Sequence, residues 1–303
     1  MTDQLQQLIN GLALGSIYAL IALGYTMVYG VLRFINFAHG DVFMLGAFAG
    51  YFLAEPVAKV IPPQSYLGGI VVLMLAMLIC ALLGVVIEFL AYRPLRKRPK
   101  LTVLITAIGV SLFIEYTCQH KKVFGASPRV FPELIPNTTW ELGGLVIGSA
   151  QVIVLVTTIL LMIALTFIVQ RTKIGTAMRA VAFNPQAAAL MGVNVNHVIS
   201  FTFGLGSALA AAAGILFAMN YASIDPLMGV QTGLKAFVAA VLGGIGNLPG
   251  AALGGLLLGV VETFAGGMKG ISNYRDAIAF GILILILMFR PSGLLGKQQT
   301  EKV

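Results

Sequence analysis

Long apolar stretches recur along the whole chain, and short polar segments separate them. Inside a lipid bilayer only helices and closed barrels satisfy their backbone hydrogen bonds, and about 20 apolar residues make one helical crossing. The chain is therefore predicted to be all-α, a polytopic membrane helical bundle. Its seven predicted full spans lie at about 5–28, 34–54, 66–92, 101–119, 150–170, 198–219 and 276–289.

The composition excludes a soluble domain. Of 303 residues, 58% are hydrophobic and only 10% are charged, which no soluble protein of this length needs. The net charge of +8 comes from Lys and Arg in short loops, so we interpret it as an orientation signal rather than a nucleic-acid surface. No linker separates a second domain. Residues 1–303 are predicted to form a single transmembrane domain.

Basic residues close to the spans predict which ends face the cytoplasm. The strongest such marker follows the third span and consists of Arg93, Arg96, Lys97, Arg98 and Lys100. Lys297 and Lys302 place the C-terminal tail on the same side. Alternating spans then predict an outside N-terminus, with the loop 120–149 also outside and Trp140 at the level of the lipid headgroups.

The region 231–264 is too long for one span and is interrupted at LGGIGNLPG. Its two halves, about 232–241 and 250–264, are each short for a bilayer. We interpret 232–264 as a broken or re-entrant helix pair whose bend is shielded by protein. The glycines of this motif are candidates for lining a translocation pathway, namely Gly243, Gly244 and Gly246.

Small residues at helical spacing predict places where helices pack closely. They are Gly11 with Gly15, Gly46 with Gly50, the series Gly206, Ala210 and Gly214, and the series Ala251, Gly255 and Gly259. Cys80 and Cys118 lie within spans and are interpreted as packing residues. The scattered His and Cys residues show no metal-ligand spacing, so no metal site is predicted.

The segment 171–197 is the longest polar-tolerant stretch between two apolar spans. One apolar helical face is predicted by the spacing of Ile174, Ala177, Met178 and Val181. Asn184 followed by Pro185 is typical of a helix N-terminus, and Gly192 stands where a left-handed cap ends a helix. We predict a compact pair of capped cytoplasmic helices whose apolar face docks into a groove on a partner protein.

Three polar residues interrupt the second span: Asn36, His39 and Asp41. By spacing, Asn36, His39 and Gly40 share one helical face. Polar groups within a membrane are costly and commonly functional, so the three polar residues are candidates for lining a pathway or gate. The structural alternative is that Asn36 caps the helix, while His39 and Asp41 satisfy each other or a neighbouring backbone.

Four further ionisable residues lie in or near spans: Glu88, Glu115, Lys235 and Glu262. Glu88 is expected to pair with the basic cluster, for example with Arg93. Glu115 and Glu262 are interpreted as packing partners or helix-end residues, with a wet cavity as the alternative for both. A complete GxxxxGK[ST] phosphate loop does not occur in the sequence, and no nucleophile motif stands out. No enzyme activity is predicted.

Three stretches together resemble one family. They are INFAHGDVFMLG at 35–46, GTAMRAVAFNPQAAALMGV at 175–193 and KAFVAAVLGGIGNLPGAALGGLLLG at 235–259. On these stretches the chain resembles the LivH-type permease subunits of branched-chain amino-acid ABC importers, over nearly its whole length. The resemblance implies a multi-pass protein of the bacterial plasma (inner) membrane that moves leucine, isoleucine and valine by ATP-driven alternating access.

The same resemblance implies partners. They are a second, homologous permease, two ATP-binding subunits and an external substrate-binding protein, so that ATP is bound by partner subunits and this chain has no cofactor of its own. The ATPase-coupling loop of the family falls here on Gly175, Arg179, Ala180, Asn184, Pro185, Ala188 and Gly192. The general importer pattern EAA-xxx-G is met only in part, because Gln186 stands in place of the Glu.

Two other interpretations stay open. A self-sufficient secondary transporter would use Asp41, His39 or Glu262 to bind a coupling ion, and it would need no docking segment. The same importer machinery would alternatively carry another small polar cargo, such as urea or short amides.

Overall fold

The computed structural model describes residues 2–96, 98–268, 270 and 272–296. The helices in chain order are α1 (Thr2–Leu32), α2 (His39–Ala58), α3 (Tyr66–Ile87), α4 (Lys100–Gln119), α5 (Ser149–Arg171), α6 (Lys173–Phe183), α7 (Pro185–Leu190), α8 (Val195–Tyr221), α9 (Met228–Gly243), α10 (Leu248–Gly267) and α11 (Arg275–Phe289). The short strands are β1 (Arg129–Val130), β2 (Thr139–Leu142), β3 (Leu145–Gly148) and β4 (Ser223–Ile224).

Eight helical segments in the described part of the chain are long and apolar enough to cross a membrane. The predicted polytopic helical bundle is therefore confirmed. Three lysines that carry part of the orientation prediction lie outside the described residues, namely Lys97, Lys297 and Lys302.

The two ends of the bundle carry different structures. One end, which we call the loop end, carries residues 120–148 with the β2–β3 hairpin. The N-terminus of α1 lies there, because the Gln6 side chain bonds both the N–H and the carbonyl of Val146, at 2.8 and 2.9 Å. From the loop end α5 leads to α6 and α7 at the opposite end, which we call the coupling end. This arrangement agrees with the predicted placement of the N-terminus and residues 171–197 on opposite sides.

Glycine contacts hold the central helices α1 and α8 against their neighbours. A methyl group on Gly15 would lie 2.8 Å from the backbone of Leu256, and one on Gly255 would overlap the backbone of Ala19. Helices α1 and α10 thus pack backbone to backbone, as the small-residue spacing predicted. On α8, Gly214 approaches the α2 backbone equally closely.

Helices α2 and α9 begin inside the bundle rather than at its ends. After α1 the non-helical segment 33–38 turns back inward, so that His39 lies against Gly24. Gly24 precedes the end of α1 by eight residues, which is about 12 Å along a helix. After α8, residues 222–227 enter from the loop end and lead to α9. The second span was predicted to start at residue 34, which is too early. The inward segment 33–38 is apolar in sequence, but it is not helical, and α2 begins at His39.

The predicted broken pair is a tight antiparallel hairpin of α9 and α10. Helix α9 has 16 residues, whereas α10 has 20 and is one of the eight candidate spans. The bend between them lies at the coupling end, where the Asn247 side chain donates a 2.6 Å hydrogen bond to the carbonyl of Leu295. The second half extends beyond both ends of the predicted 250–264, so α10 by itself is long and apolar enough to cross a bilayer.

The two halves of the bundle repeat one packing scheme in opposite directions. The first half consists of α1, α2 and α3, and the second of α8, α9 and α10. Helix α1 packs on α10, and α8 packs correspondingly on α3, where a methyl group on Gly84 would meet Phe203 and Ser207. Inverted repeats of this kind recur in membrane transporters. The repeat is not evident as a sequence pattern, because α1 and α10 meet through glycines on both helices, whereas α3 meets Phe203 and Ser207 of α8.

Candidate functional site

The segment 171–197 folds as two capped helices. Before α6, the Thr172 hydroxyl accepts a hydrogen bond from the Gly175 N–H at 3.1 Å. Before α7, the Asn184 side-chain oxygen accepts from the Ala187 N–H at 3.0 Å. Gly192 follows with a φ of +86°, in the left-handed region. The predicted pair of capped helices is confirmed.

The apolar face of α6 is directed into the chain's own bundle. Met178 and Val181 are buried, and α6 packs against α1, α5 and α8. A methyl group on Gly175 would overlap the backbone of Val169 in α5. The prediction that this face enters a partner's groove is wrong, because it already packs within the chain.

The predicted coupling residues divide into an attachment group and a surface group. Gly175 and Ala188 are buried, and Ala180 is half-buried. Arg179 is exposed, yet its guanidinium donates to the carbonyl of Val169 and thereby ties α6 to the end of α5. The residues that lie at the surface of the segment are Asn184, Pro185 and Gly192.

Three apolar side chains that the sequence analysis missed project from this segment. Phe183, Leu190 and Met191 are 92%, 89% and 84% exposed, and we call them the apolar tip. They lie where α6 and α7 end, at positions that do not continue the spacing of the buried face. Apolar residues outside that spacing were the sequence signal that could have identified them. Clustered exposed apolar groups mark interaction surfaces.

Asn36 lies in the inward segment rather than in a helix. Because α2 begins at His39, Asn36 does not share its helical face, and the start of α2 has no side-chain cap. The Asn36 side-chain oxygen instead accepts a 2.6 Å hydrogen bond from the Tyr92 hydroxyl, with both residues buried. This bond fastens the inward segment to the helical turns that continue α3.

His39 and Asp41 serve different neighbours and do not pair with each other. The His39 ring lies edge-on to Tyr25 in α1 with ring centres 4.7 Å apart, whereas Asp41 interacts with Ser111 and Glu115 in α4. Within the described part of the chain, His39 Nε2 and Asp41 Oδ2 are buried without a hydrogen-bond partner. Such atoms are uncommon in folded proteins, and they lie where the two halves of the bundle meet.

Gly40, between these two residues, contacts the other half of the bundle directly. A methyl group on Gly40 would lie 2.5 Å from the carbonyl oxygen of Gly229, and one on Gly233 would lie 2.8 Å from the Gly40 Cα. The first turns of α2 and α9 therefore touch without intervening side chains.

The glycines of the LGGIGNLPG motif lie away from this crossing. Gly244 and Gly246 adopt φ values of +103° and +94° in the bend at the coupling end, and Gly243 packs on Gly250. The structure thus does not bring these glycines together with Asn36, His39 and Asp41. Their backbone instead holds the C-terminal segment, because the Gly243 carbonyl accepts a 3.1 Å hydrogen bond from Leu295.

A buried ionic network joins four helices. Lys235 of α9 lies 2.7 Å from Glu262 of α10 and 2.7 Å from Asp276 of α11. The Tyr18 hydroxyl of α1 donates a 2.8 Å hydrogen bond to the second oxygen of Glu262. The interpretation of Glu262 as a packing partner is confirmed, while its partners Lys235 and Tyr18 and the participation of Asp276 were missed.

Glu88 pairs with Arg96 rather than with Arg93. The Glu88 carboxylate also accepts a 2.6 Å hydrogen bond from Ser200 of α8, whereas Arg93 lies over the Phe89 ring at 5.2 Å. Burial lowers the pKa of Arg96 to about 10, so the guanidinium stays charged at neutral pH. In the described ranges, no group of three or more His, Cys, Asp or Glu residues is placed to hold a metal ion.

Inverted halves that meet deep in the bundle, together with a capped segment projecting from one end, define a multi-pass membrane transport protein. The chain belongs to the family described as the branched-chain amino acid transport system / permease component, whose pattern matches residues 7–287. No solved structure matches the chain.

Curated relatives cover the chain from end to end. The high-affinity branched-chain amino acid transport system permease protein BraD of Pseudomonas aeruginosa is 44% identical over 99% of this chain and 98% of its own length. The corresponding protein LivH of Escherichia coli K12 is 40% identical over 99% of this chain and 97% of its own. A shorter likeness, 32% identical over 40% of this chain and 39% of the relative, is to the ribose import permease protein RbsC of Haemophilus influenzae.

Proposed function

We propose that this chain is the membrane-embedded permease subunit of an ABC importer that moves branched-chain amino acids across the bacterial plasma membrane. The observation that carries the proposal is the 44% identity over 99% of the chain to BraD, whose name specifies high-affinity branched-chain amino acid transport. The chain is not an enzyme and binds no cofactor, since ATP is held and hydrolysed by two separate subunits. A second, homologous permease and an external substrate-binding protein complete the assembly.

The segment 171–197, at the coupling end, supports docking of an ATP-binding subunit. Its apolar tip offers exposed side chains at Phe183, Leu190 and Met191, and its buried face attaches α6 to three helices of the bundle. A displacement of the tip therefore moves the bundle instead of being absorbed by a loose loop. Alternating access follows when the two halves shift as rigid bodies about the crossing of Gly40 and Gly229.

The cargo is assigned to leucine, isoleucine and valine because of the end-to-end relatives. Selectivity resides mainly in the external binding protein, and the helices provide an apolar path with few polar groups. The partial likeness to RbsC, over 40% of this chain, supports a common machinery for unlike cargo. Another small polar cargo, such as urea or short amides, is the alternative for the same machinery.

A second candidate is an ion-coupled transporter that works alone. The observation that favours it is the pair of buried, unpartnered atoms His39 Nε2 and Asp41 Oδ2, described above. Buried ionisable groups of this kind serve as ion or proton sites in other transporters.

Reconstitution into liposomes separates the two candidates. The complete assembly is expected to accumulate leucine only with ATP inside, while the chain alone accumulates none under a sodium or proton gradient. Arg179→Glu and Gly192→Val are expected to abolish ATP-driven uptake without reducing membrane insertion, whereas Lys122→Glu, the same charge reversal at the loop end, leaves uptake intact. Gradient-driven uptake by the chain alone would establish the second candidate.

A further inference from the structure

A cavity of about 620 Å³ opens at the loop end. Its walls come from the C-terminal half of α2, the start of α3 and the loop 129–134. Small-molecule sites commonly have volumes of about 300–1,000 Å³ and combine apolar walls with a few fixed polar groups. The residues that give this cavity its chemistry are Tyr51, Phe52, Val72, Arg129, Glu133 and Leu134.

Arg129 provides a fixed cation in this cavity. Its guanidinium lies over the rings of Tyr51 and Phe52, at 5.5 and 5.7 Å, and it donates to the carbonyl of Phe124. Its backbone is also held, because β1 pairs Arg129 with Ile224 of β4. A guanidinium held in this way is suited to bind a carboxylate.

Glu133 provides an oriented carboxylate in the same cavity. Gln64 donates a 3.0 Å hydrogen bond to one of its oxygens. Glu55 also lines the cavity, but it is 2.9 Å from Lys59 in a pair of its own. Glu133 is therefore the better partner for an incoming ammonium group.

Apolar side chains complete the walls. Val72 and Leu134 are buried at 1% and 7% exposure, and Phe52 adds an aromatic surface. Cation, carboxylate and apolar wall together match a zwitterionic amino acid with an aliphatic side chain, which needs one partner for each of its three parts. An anion alone would leave Glu133 unmatched, and a cation alone would leave Arg129 unmatched.

We propose that this cavity is a binding site for a free aliphatic amino acid, with the substrate carboxylate on Arg129 and its ammonium on Glu133. The inference rests on the proposed function, since such an amino acid is released at this end of an importer. The site also contacts both halves of the bundle, which shift against each other in the proposed transport cycle. Arg129 is paired through β4 with residues 222–227, which lead to α9, and Tyr51 and Phe52 belong to α2.

The test measures binding of radiolabelled L-leucine to the purified chain in lipid nanodiscs by equilibrium dialysis. Saturable binding is expected. Leucinol, which lacks the carboxylate, is expected to compete about tenfold less well than leucine, because it loses a charge-assisted hydrogen bond. Arg129→Gln is expected to weaken leucine binding by a similar factor and to abolish the difference between leucine and leucinol. Glu133→Gln is likewise expected to weaken leucine binding. It is also expected to abolish the difference between leucine and N-acetyl-leucine, which lacks the ammonium group.

Matched controls keep the test decisive. Lys122→Gln and Glu141→Gln remove exposed charges of the same loop outside the cavity lining and are expected to leave binding unchanged. Equal competition by leucine and leucinol on the unmodified chain would overturn the inference, even if the Arg129 variant failed to fold. An absence of saturable leucine binding to the chain would also overturn the inference. The cavity would then be at most a contact surface for the external binding protein.

Failure of the site and failure of the proposed function give different results. If the complete assembly transports leucine but the chain alone binds none, the site is wrong and the importer assignment stands. If the chain binds leucine with the expected preference but the assembly transports none, the site stands and the importer assignment is wrong.

Discussion

Gly40 and Gly229 contact each other through their backbones at the point where α2 and α9 begin. A methyl group on Gly40 would lie 2.5 Å from the Gly229 carbonyl oxygen, and one on Gly229 would overlap the Gly40 carbonyl oxygen. These glycines belong to the two inverted halves of the bundle, so their separation fixes how closely the halves approach. Any side chain here forces the halves apart.

Gly229→Ala is accordingly expected to lower the free energy of unfolding by about 1–3 kcal/mol, the usual cost of overpacking, and to reduce leucine uptake by the assembly. Thermal unfolding in detergent measures the first effect. Gly109→Ala in α4 is the matched control, because a methyl group there meets nothing within 4 Å. It is expected to be neutral or slightly stabilising. Equal behaviour of the two variants would show that the crossing is not tightly packed.

The apolar tip is expected to bind the ATP-binding subunit. Replacing both Leu190 and Met191 by Ser removes two side chains that are 89% and 84% exposed, so the fold should be unaffected. Binding of the ATP-binding subunit to the chain in nanodiscs is expected to weaken about tenfold or more, a typical effect for interface anchors. Val60→Ser, at an 85% exposed site at the loop end, serves as the control. Unchanged binding in the double variant would contradict the assignment.

Lys235→Met is expected to destabilise the chain strongly. It removes the buried cation that Glu262 and Asp276 share and leaves only the half-exposed Arg275, 4.0 and 3.8 Å from the two carboxylates. Breaking a buried ion pair costs about 3–5 kcal/mol. The double variant Lys235→Met with Glu262→Gln is expected to recover part of that loss. Lys59→Met breaks an exposed pair with Glu55 and should produce no measurable change in the unfolding midpoint. The network would be shown unimportant if Lys235→Met and Lys59→Met gave the same midpoint.

Tyr92→Phe tests the bond that holds the inward segment. It leaves the buried Asn36 side-chain oxygen without its hydroxyl donor, at an expected cost of about 1–3 kcal/mol in unfolding free energy. Adding Asn36→Leu is expected to recover much of this loss, since replacing both partners removes the unpaired polar group. Tyr116→Phe, 69% exposed on α4, is the control. If the double variant is no more stable than Tyr92→Phe alone, the hydrogen bond to Tyr92 is not the contribution that Asn36 makes to stability.

Much of the fold followed from the sequence because lipid imposes strict rules on apolar length and on small residues. The spans, the ridge of Gly255 and Gly259, and the caps at Asn184 and Gly192 all depend on neighbours in the chain, so local patterns reveal them. The start of α2 was misplaced because the inward segment 33–38 is as apolar as a helix. Its non-helical path depends on tertiary contacts such as the one between Asn36 and Tyr92.

The site was harder to predict, because its contacts join residues that are far apart in sequence. Nothing local shows that Glu88 prefers Arg96 to Arg93, or that Asp41 faces α4 while His39 faces α1. The same spacing that identified an apolar face on α6 did not tell whether the chain or a partner covers it. Only the packing of Met178 and Val181 into the bundle answers that question.

The close pairing of α1 with α10 depends on residues that have no side chain, and this limits how the gene can change. Every amino-acid replacement reachable from a glycine codon by one base change is larger than glycine. Gly15, Gly255 and Gly259 each have backbone atoms within 3 Å of where a methyl group would be. Harmful mutations are thus expected to concentrate at these codons, while codons for the outward faces of α4 and α11 accept exchanges between apolar residues freely.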